Sequence, residues 1–184
     1  MHRRSNALDA ARLGDREALA ELWRAYQAPL LRYLRARRTP SADDVASQVW
    51  IDVATSLHRF EGGEDDFRRW LFTIAHRRSV DSVRRTVRRS GVGVRAADVA
   101  VGADVEHERD GALDRAIAMV ATLPDDQAEA VMLRVVNDLP IADVASVMGV
   151  SEGNVRVLVH RGLLRLRRRM AVTEVGVPAM RRVP

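Results

Sequence analysis

Cysteine is absent from this chain of 184 residues, and so is lysine: every one of its 30 basic residues is arginine. Without cysteine there are no disulfides and no thiolate metal sites, and a reducing compartment suits the chain. No apolar run approaches the roughly 18–20 residues that a membrane span needs, so membrane insertion is not expected. The opening MHRRSNALDAARLGD has basic residues but no apolar stretch after them, unlike a secretory signal, and the expected location is cytoplasmic. Glycine-rich phosphate loops are missing too, since Gly91-Val92-Gly93 lacks the rest of any nucleotide fingerprint. His2, His58, His76, His107 and His160 never stand three or four residues apart, which excludes a helical histidine pair for a metal. Asp43-Asp44 and Asp125-Asp126 fall at expected helix starts, where acids favour the helix dipole without any catalytic role. Nothing supplies a nucleophile, a base and an orienting partner, so neither an enzyme nor a cofactor is expected.

What the chain does have is charge, unevenly spread. A formal net charge of +5 and a pI near 10.9 point to nucleic acid as a partner. A GC-rich coding bias accounts for arginine in place of lysine, but not for where the arginines sit. They crowd at 35–38, at Arg84, Arg85, Arg88 and Arg89, and at 161–169, whereas Gly91 to Val150 holds eleven acids against four arginines. Two basic pieces joined by an acidic connector fit that pattern.

Hydrophobic periodicity is helical nearly throughout. Asp15 can cap a helix in which Leu19, Leu22, Trp23, Tyr26, Leu30 and Tyr33 recur, with Pro29 predicting a kink or break. After the turn at 38–41, Ser41 is expected to cap a second helix striped by Val45, Val49, Val53 and Leu57. Phe60 to Glu64 reads as a loop, with Phe60 exposed and the tryptophans mostly in the core. A third helix is expected over 66–89, with Phe67, Leu71, Ile74 and Val83 inward. Residues 90–111 are small or acidic and read as a flexible linker, able to reach about 70 Å at ~3.3–3.6 Å per residue. Helices then follow over 112–121, 126–136, 141–148 and 152–170, with a frayed tail at 171–184. The expected fold is all-α: two small helical domains, residues 1–89 and 112–170, that move independently on the linker.

Between Pro140 and Leu166 the spacing is that of a helix-turn-helix. Ala145 is small where two helices cross, Gly149 can take the left-handed turn conformation, and Ser151 can cap the second helix. That second helix is expected to bury Val155, Leu158, Val159, Leu163 and Leu166 and to turn Asn154, Arg156, His160, Arg161 and Arg165 outward. Such a face can enter a DNA major groove and reach base edges.

These segments together resemble the extracytoplasmic-function (ECF) sigma factors of the sigma-70 family, group 4, over essentially the whole chain. Gly14-Asp15-Arg16-Glu17-Ala18 through Pro29-Leu30-Leu31-Arg32-Tyr33 is similar to the family's opening helix, and Ala42-Asp43-Asp44-Val45 to the start of its polymerase-binding helix. Trp70-Leu71-Phe72-Thr73-Ile74-Ala75 with Asp81 and Arg84 resembles the helix facing the −10 element. Leu123-Pro124-Asp125-Asp126-Gln127 and Val150-Ser151-Glu152-Gly153-Asn154-Val155-Arg156 resemble the domain that reads the −35 element. The resemblance implies a region 2-like bundle followed by a region 4-like helix-turn-helix. It also implies a factor that gives RNA polymerase core its promoter specificity through duplex −35 and melted −10 DNA.

By the same resemblance, Asp43, Asp44, Ser47 and Gln48 would meet the β′ clamp helices of polymerase, and the second domain the β flap. His58 to Glu64, with Phe60, would correspond to the loop that captures a flipped −10 base. Arg68, Arg69, His76, Arg77, Arg84, Arg85, Arg88 and Arg89 would hold −10 DNA. Asn154, Arg156, His160, Arg161 and Arg165 would face the −35 element, and an anti-sigma factor would be a further partner. The chain departs from the family where Ser47-Gln48 replaces a Gln-Glu pair, where Arg77 replaces a frequent Asn, and at Val157 and Leu158 on the recognition helix. Two other readings of the residues remain: a stand-alone helix-turn-helix regulator, which would shift duplex DNA without polymerase, and a helical interaction module that reads no DNA.

Overall fold

The computed structural model describes the backbone of residues 2–90 and 111–175. All but the end residues of the expected linker lie outside the described residues, as does the tail beyond Val175. Eight α-helices are described: α1 His2–Arg12, α2 Arg16–Ala36, α3 Ala42–Ser56, α4 Glu64–Ser90, α5 Gly111–Val120, α6 Asp125–Val131, α7 Ile141–Met148 and α8 Glu152–Val175. The described residues contain no strand. The fold is all-α, with three long helices in the N-terminal half and a helix-turn-helix in the C-terminal half.

Asp15 caps α2 as expected: one carboxylate oxygen accepts from the backbone N–H of Glu17 at 2.8 Å and of Ala18 at 3.1 Å. Pro29 does not end this helix, which runs on to Ala36. Beyond the proline, Leu30, Tyr33 and Leu34 are all fully buried. At about 1.5–3 kcal/mol for each buried side chain, their packing outweighs the ~3 kcal/mol that an interior proline costs. Ser41 precedes α3 but does not cap it: its φ of 52° is left-handed, and its side chain makes no capping hydrogen bond. The α3 stripe is as the spacing predicts, with Val45, Val49, Val53 and Leu57 buried. Phe67, Leu71, Phe72 and Ala75 bring α4 against α2 and α3, with edge-to-face ring pairs Tyr26–Phe67 at 5.4 Å and Tyr33–Phe72 at 5.3 Å. At the start of α4 the Asp66 carboxylate accepts from the Gly63 N–H at 3.0 Å, half of a capping box.

Helix α1 was not legible as a helix in the sequence; Ala7, Leu8 and Ala11 pack it onto the bundle. Trp23, expected in the core, is 47% exposed on α2. In the C-terminal half α6 passes into a π-helical turn, Met132–Val136, rather than continuing as one α-helix to Val136. Leu163 is 42% exposed and the buried position is Gly162. The inward series of α8 is therefore Val155, Val159, Gly162 and Leu166, a regular four-three-four spacing. A Cβ at Gly162 would lie 2.8 Å from Val131 Cγ2 and 3.5 Å from the Gln127 carbonyl oxygen, so α6 and α8 approach closely there. Gly162→Leu is expected to overpack that crossing. After the ~1 kcal/mol gained in helix propensity, a net loss of about 1–2 kcal/mol should appear as a lower urea midpoint. An unchanged midpoint would refute the close crossing.

Candidate nucleic-acid and polymerase surfaces

The α7–α8 turn has the geometry its residues predict. Gly149 sits at φ 67°, ψ 33°, a left-handed position, and its N–H returns to the Ala145 carbonyl. The Val150 N–H also reaches the Ala145 carbonyl, at 3.1 Å. Ser151 then opens α8, with its Oγ accepting from the Asn154 N–H at 3.3 Å. Val155, wholly buried, pins the second helix to the first, where Val144 and Ala145 are buried. Asn154, Arg156, His160, Arg161 and Arg165 all lie exposed on α8. Arg156 pairs with Glu152 at 2.9 Å. Arg161 and Arg165 have no protein partner among the described residues, which leaves their guanidinium forks open to a ligand.

The set expected to face −10 DNA divides in two. Arg84, Arg85, Arg88 and Arg89 are exposed along the last turns of α4, Arg77 is exposed at its middle, and His58 is exposed at the α3–α4 connection. Phe60 is half-buried rather than exposed: it stacks on Trp70 at 4.9 Å, and the Arg12 guanidinium of α1 lies 5.1 Å from its ring centre. Arg68, Arg69 and His76 are half-buried: each makes a contact with the C-terminal half, and Arg68 and Arg69 also pair with Asp65 and Asp66 of α4 itself.

On α3, Asp43, Asp44, Ser47 and Gln48 are exposed on one face, opposite the buried valines. Ile51, 52% exposed, extends that face and was missed in the sequence, although the Val49/Val53 stripe leaves it pointing away from the core. Asp44 and Gln48 line a cleft of about 180 Å³ together with Arg85 and Arg89. The face expected to dock on polymerase and the basic end of α4 are thus contiguous.

The two halves share one apolar core cluster and also meet through charge. Glu129 on α6 is buried, and its Oε1 accepts from the Tyr33 hydroxyl at 2.6 Å and from the Arg37 guanidinium, with His76 Nδ1 at 2.8 Å. Burial works to raise the pKa of this carboxyl, but the hydrogen bond from His76, the charge of Arg37 and the Tyr33 hydroxyl together hold it below its ordinary value. Burial, reinforced by the adjacent Glu129 charge, pushes the Tyr33 phenol well above its own. Around this centre Arg38 pairs with Asp125, Arg69 reaches Asp143 at 3.2 Å, and Arg68 donates to the Asn137 carbonyl at 3.4 Å. The sequence expectation was of two halves moving independently, with the acids of the middle stretch serving as connector. Three of those acids, Asp125, Glu129 and Asp143, face arginines of the other half. No cluster of three or more His, Cys, Asp or Glu able to hold a metal exists among the described residues.

Comparison with known proteins decides the family. The profile for Sigma-70 region 2 matches residues 22–89, and that for Sigma-70, region 4 matches residues 113–166. The ECF RNA polymerase sigma factor SigD of Mycobacterium tuberculosis is 32% identical over 164 residues, covering 84% of this chain and 77% of its own. The chain belongs to the ECF RNA polymerase sigma factors. The sigma factor ShbA of Streptomyces griseus is 31% identical, over 84% of this chain and 88% of its own. Among solved structures, RpoE of Bartonella quintana, bound to the anti-sigma factor NepR, matches with a TM-score of 0.65 at 21% identity, covering 83% of this chain and 98% of that one. CnrH in complex with the cytosolic domain of CnrY matches with a TM-score of 0.63 at 20% identity, covering 94% and 98%. As a sigma factor the protein binds RNA polymerase and directs promoter-specific transcription. The region 2 match takes in most of α2, all of α3 and α4 up to Arg89, and the region 4 match takes in most of α5, all of α6 and α7, and most of α8. No helix among the described residues is long and apolar enough to cross a membrane.

Proposed function

We propose that these surfaces divide the work of initiation as follows. The exposed face of α3, with Asp43, Asp44, Ser47 and Gln48, docks on polymerase core, and the C-terminal half engages the β flap. Arg77 at the middle of α4 and Arg84, Arg85, Arg88 and Arg89 at its basic end hold −10 DNA by its phosphates, joined by Arg68, Arg69 and His76. His58 and Phe60 flank the melted base. Asn154, Arg156, His160, Arg161 and Arg165 read the −35 duplex in the major groove. The protein acts by binding rather than by catalysis, and in the cytoplasm, where polymerase is. An anti-sigma factor is a fitting further partner, as NepR is for RpoE.

The observation that carries this reading is the row of exposed, largely unpaired polar and basic side chains on α8, on a helix whose inner face is fixed by Val155. Arginines that touch only phosphate add affinity and salt dependence without sequence preference. Arg88→Ala/Arg89→Ala is therefore expected to weaken polymerase-dependent transcription from all promoters alike, and to lower the slope of log affinity against log salt by roughly 1–2. A loss confined to particular promoter sequences would contradict the phosphate assignment.

A further inference from the structure

The inner face of α8 is fixed by Val155, Val159, Gly162 and Leu166, so helical geometry settles what its outer face presents. At about 100° per residue, the line directly opposite that seam runs through Gly153, Val157 and Leu164. His160 and Arg161 stand about 50° to either side of the line, and Arg156 and Arg165 about 90°. The centre of the face is therefore apolar, inside a polar and basic rim. Val157 is 43% exposed and Leu164 38%. Val157 is also a position where the chain departs from the family's recognition helix. A Cβ at Gly153 would meet nothing nearer than the Ser151 Oγ at 4.0 Å, so packing within the chain does not demand glycine there. Its bare α-carbon instead permits close approach by whatever α8 faces.

A valine side chain makes no hydrogen bond, and its branched Cβ holds χ1 nearly fixed in a helix, so its two methyls form a small, rigid apolar contact. The major groove offers one apolar feature to match it, the 5-methyl group of thymine; the other three bases present donors and acceptors. Against those, Val157 would leave a desolvated polar group without a partner, which disfavours them. We propose that Val157 is a specificity-determining residue that selects a thymine in the −35 element by contact with its 5-methyl group. Gly153, one turn earlier, lets the helix come close enough for so short a side chain to touch. The inference rests on the assignment of α8 to the −35 major groove. Leu164 shares the line but lies seven residues, or about 10.5 Å, farther along the axis. The N-terminal part of a recognition helix is what meets base edges, which leaves Leu164 outside the contact.

The test uses the full chain with core polymerase and a promoter library randomised across the −35 element. The wild type is expected to fix thymine at one position, on one strand, and Val157→Ser to relax that position while the others stay as they were. In a selected promoter, replacing that thymine by deoxyuridine removes the methyl group and nothing else. Wild-type initiation is expected to fall about fourfold, the worth of one buried methyl group, whereas Val157→Ser reads thymine and uracil nearly alike. Leu164→Ala, which shortens a similarly exposed side chain on the same line, is expected to keep the full effect. Val157→Ser should fold as the wild type does, since the residue is exposed and serine and valine have similar helix propensities. The proposal is overturned if no selected thymine responds to loss of its methyl group, or if Val157→Ser responds as strongly as the wild type. It is overturned equally if Leu164→Ala abolishes the response, an outcome that would give the whole apolar line to a protein partner. Selective loss with Arg161→Ala beside an absent thymine effect leaves the −35 assignment standing and removes only the role of Val157. Uniform losses for both Arg156→Ala and Arg161→Ala remove the assignment and the inference together.

Discussion

Reversing both acids at the head of α3, as Asp43→Arg/Asp44→Arg, is expected to weaken binding to polymerase core by about 30- to 1,000-fold, the equivalent of ~2–4 kcal/mol. The size follows from placing like charges where a partner is arranged for acids, a juxtaposition that costs several kcal/mol. The fold should bear the change. Both residues are exposed and Arg35 touches Asp43 only at 3.5 Å, a surface pair worth at most about 1 kcal/mol. Loss of acids from the first turn of α3 costs a further ~0.3–1 kcal/mol each through the helix dipole. The buried Val45–Val49–Val53 stripe is untouched. A pull-down with core polymerase, alongside circular dichroism, reads the result; full helicity with unchanged affinity would remove this face as the docking surface.

Replacing Arg161 by alanine is expected to cost about 1–3 kcal/mol of discrimination at a single base pair of the −35 element, or roughly 5- to 150-fold in relative promoter use. A bidentate contact to guanine needs a free planar fork, and Arg161 is exposed with no protein partner among the described residues. Arg156 must first give up Glu152 at 2.9 Å. That exposed i, i+4 pair is worth only ~0.3–0.5 kcal/mol, so it trims the contribution of Arg156 without cancelling it. Transcription with core polymerase across a set of single-base promoter variants measures both. A uniform fall across all variants for both substitutions would reassign these arginines to the phosphate backbone.

Much of this was legible in the sequence because it depends on local chemistry. Gly149 and Ser151 define the turn before α8 through backbone conformation and one side-chain hydrogen bond, and Asp15 caps α2 in the same way. The regular spacing of Val45, Val49 and Val53 requires no knowledge of what lies opposite. What the sequence concealed depends on a partner elsewhere in the chain. Pro29 is a local helix breaker, overruled by the burial of Leu30, Tyr33 and Leu34. Gly162 carries no signal of its own in α8 until Val131 is seen against it. Periodicity alone put Leu163 inward, one residue out of phase with the crossing. Phe60 reads as an exposed loop aromatic, yet Trp70 and Arg12 cover its faces.

The candidate surfaces divide along the same line. Exposure of Asp43, Asp44, Ser47 and Gln48, and of the outer face of α8, follows from which residues line the stripe on the other side. Ile51 could have been added by the same argument. The engagement of Arg68, Arg69 and His76 by Glu129, Asn137 and Asp143 joins residues more than fifty positions apart, and no local pattern announces it. The one advance signal was compositional: eleven acids between Gly91 and Val150 in a chain whose net charge is +5.

The most direct test of the central claim is run-off transcription by purified core polymerase on a genomic fragment library, with and without the chain. In parallel, a band-shift assay follows duplex promoter DNA with the chain alone. The account predicts a small set of new transcripts that appear only when chain and core are both present. Their start sites should share two upstream elements, and the chain alone should give little or no shift. A strong, sequence-selective shift by the chain alone, with no new transcripts when core is added, would contradict it.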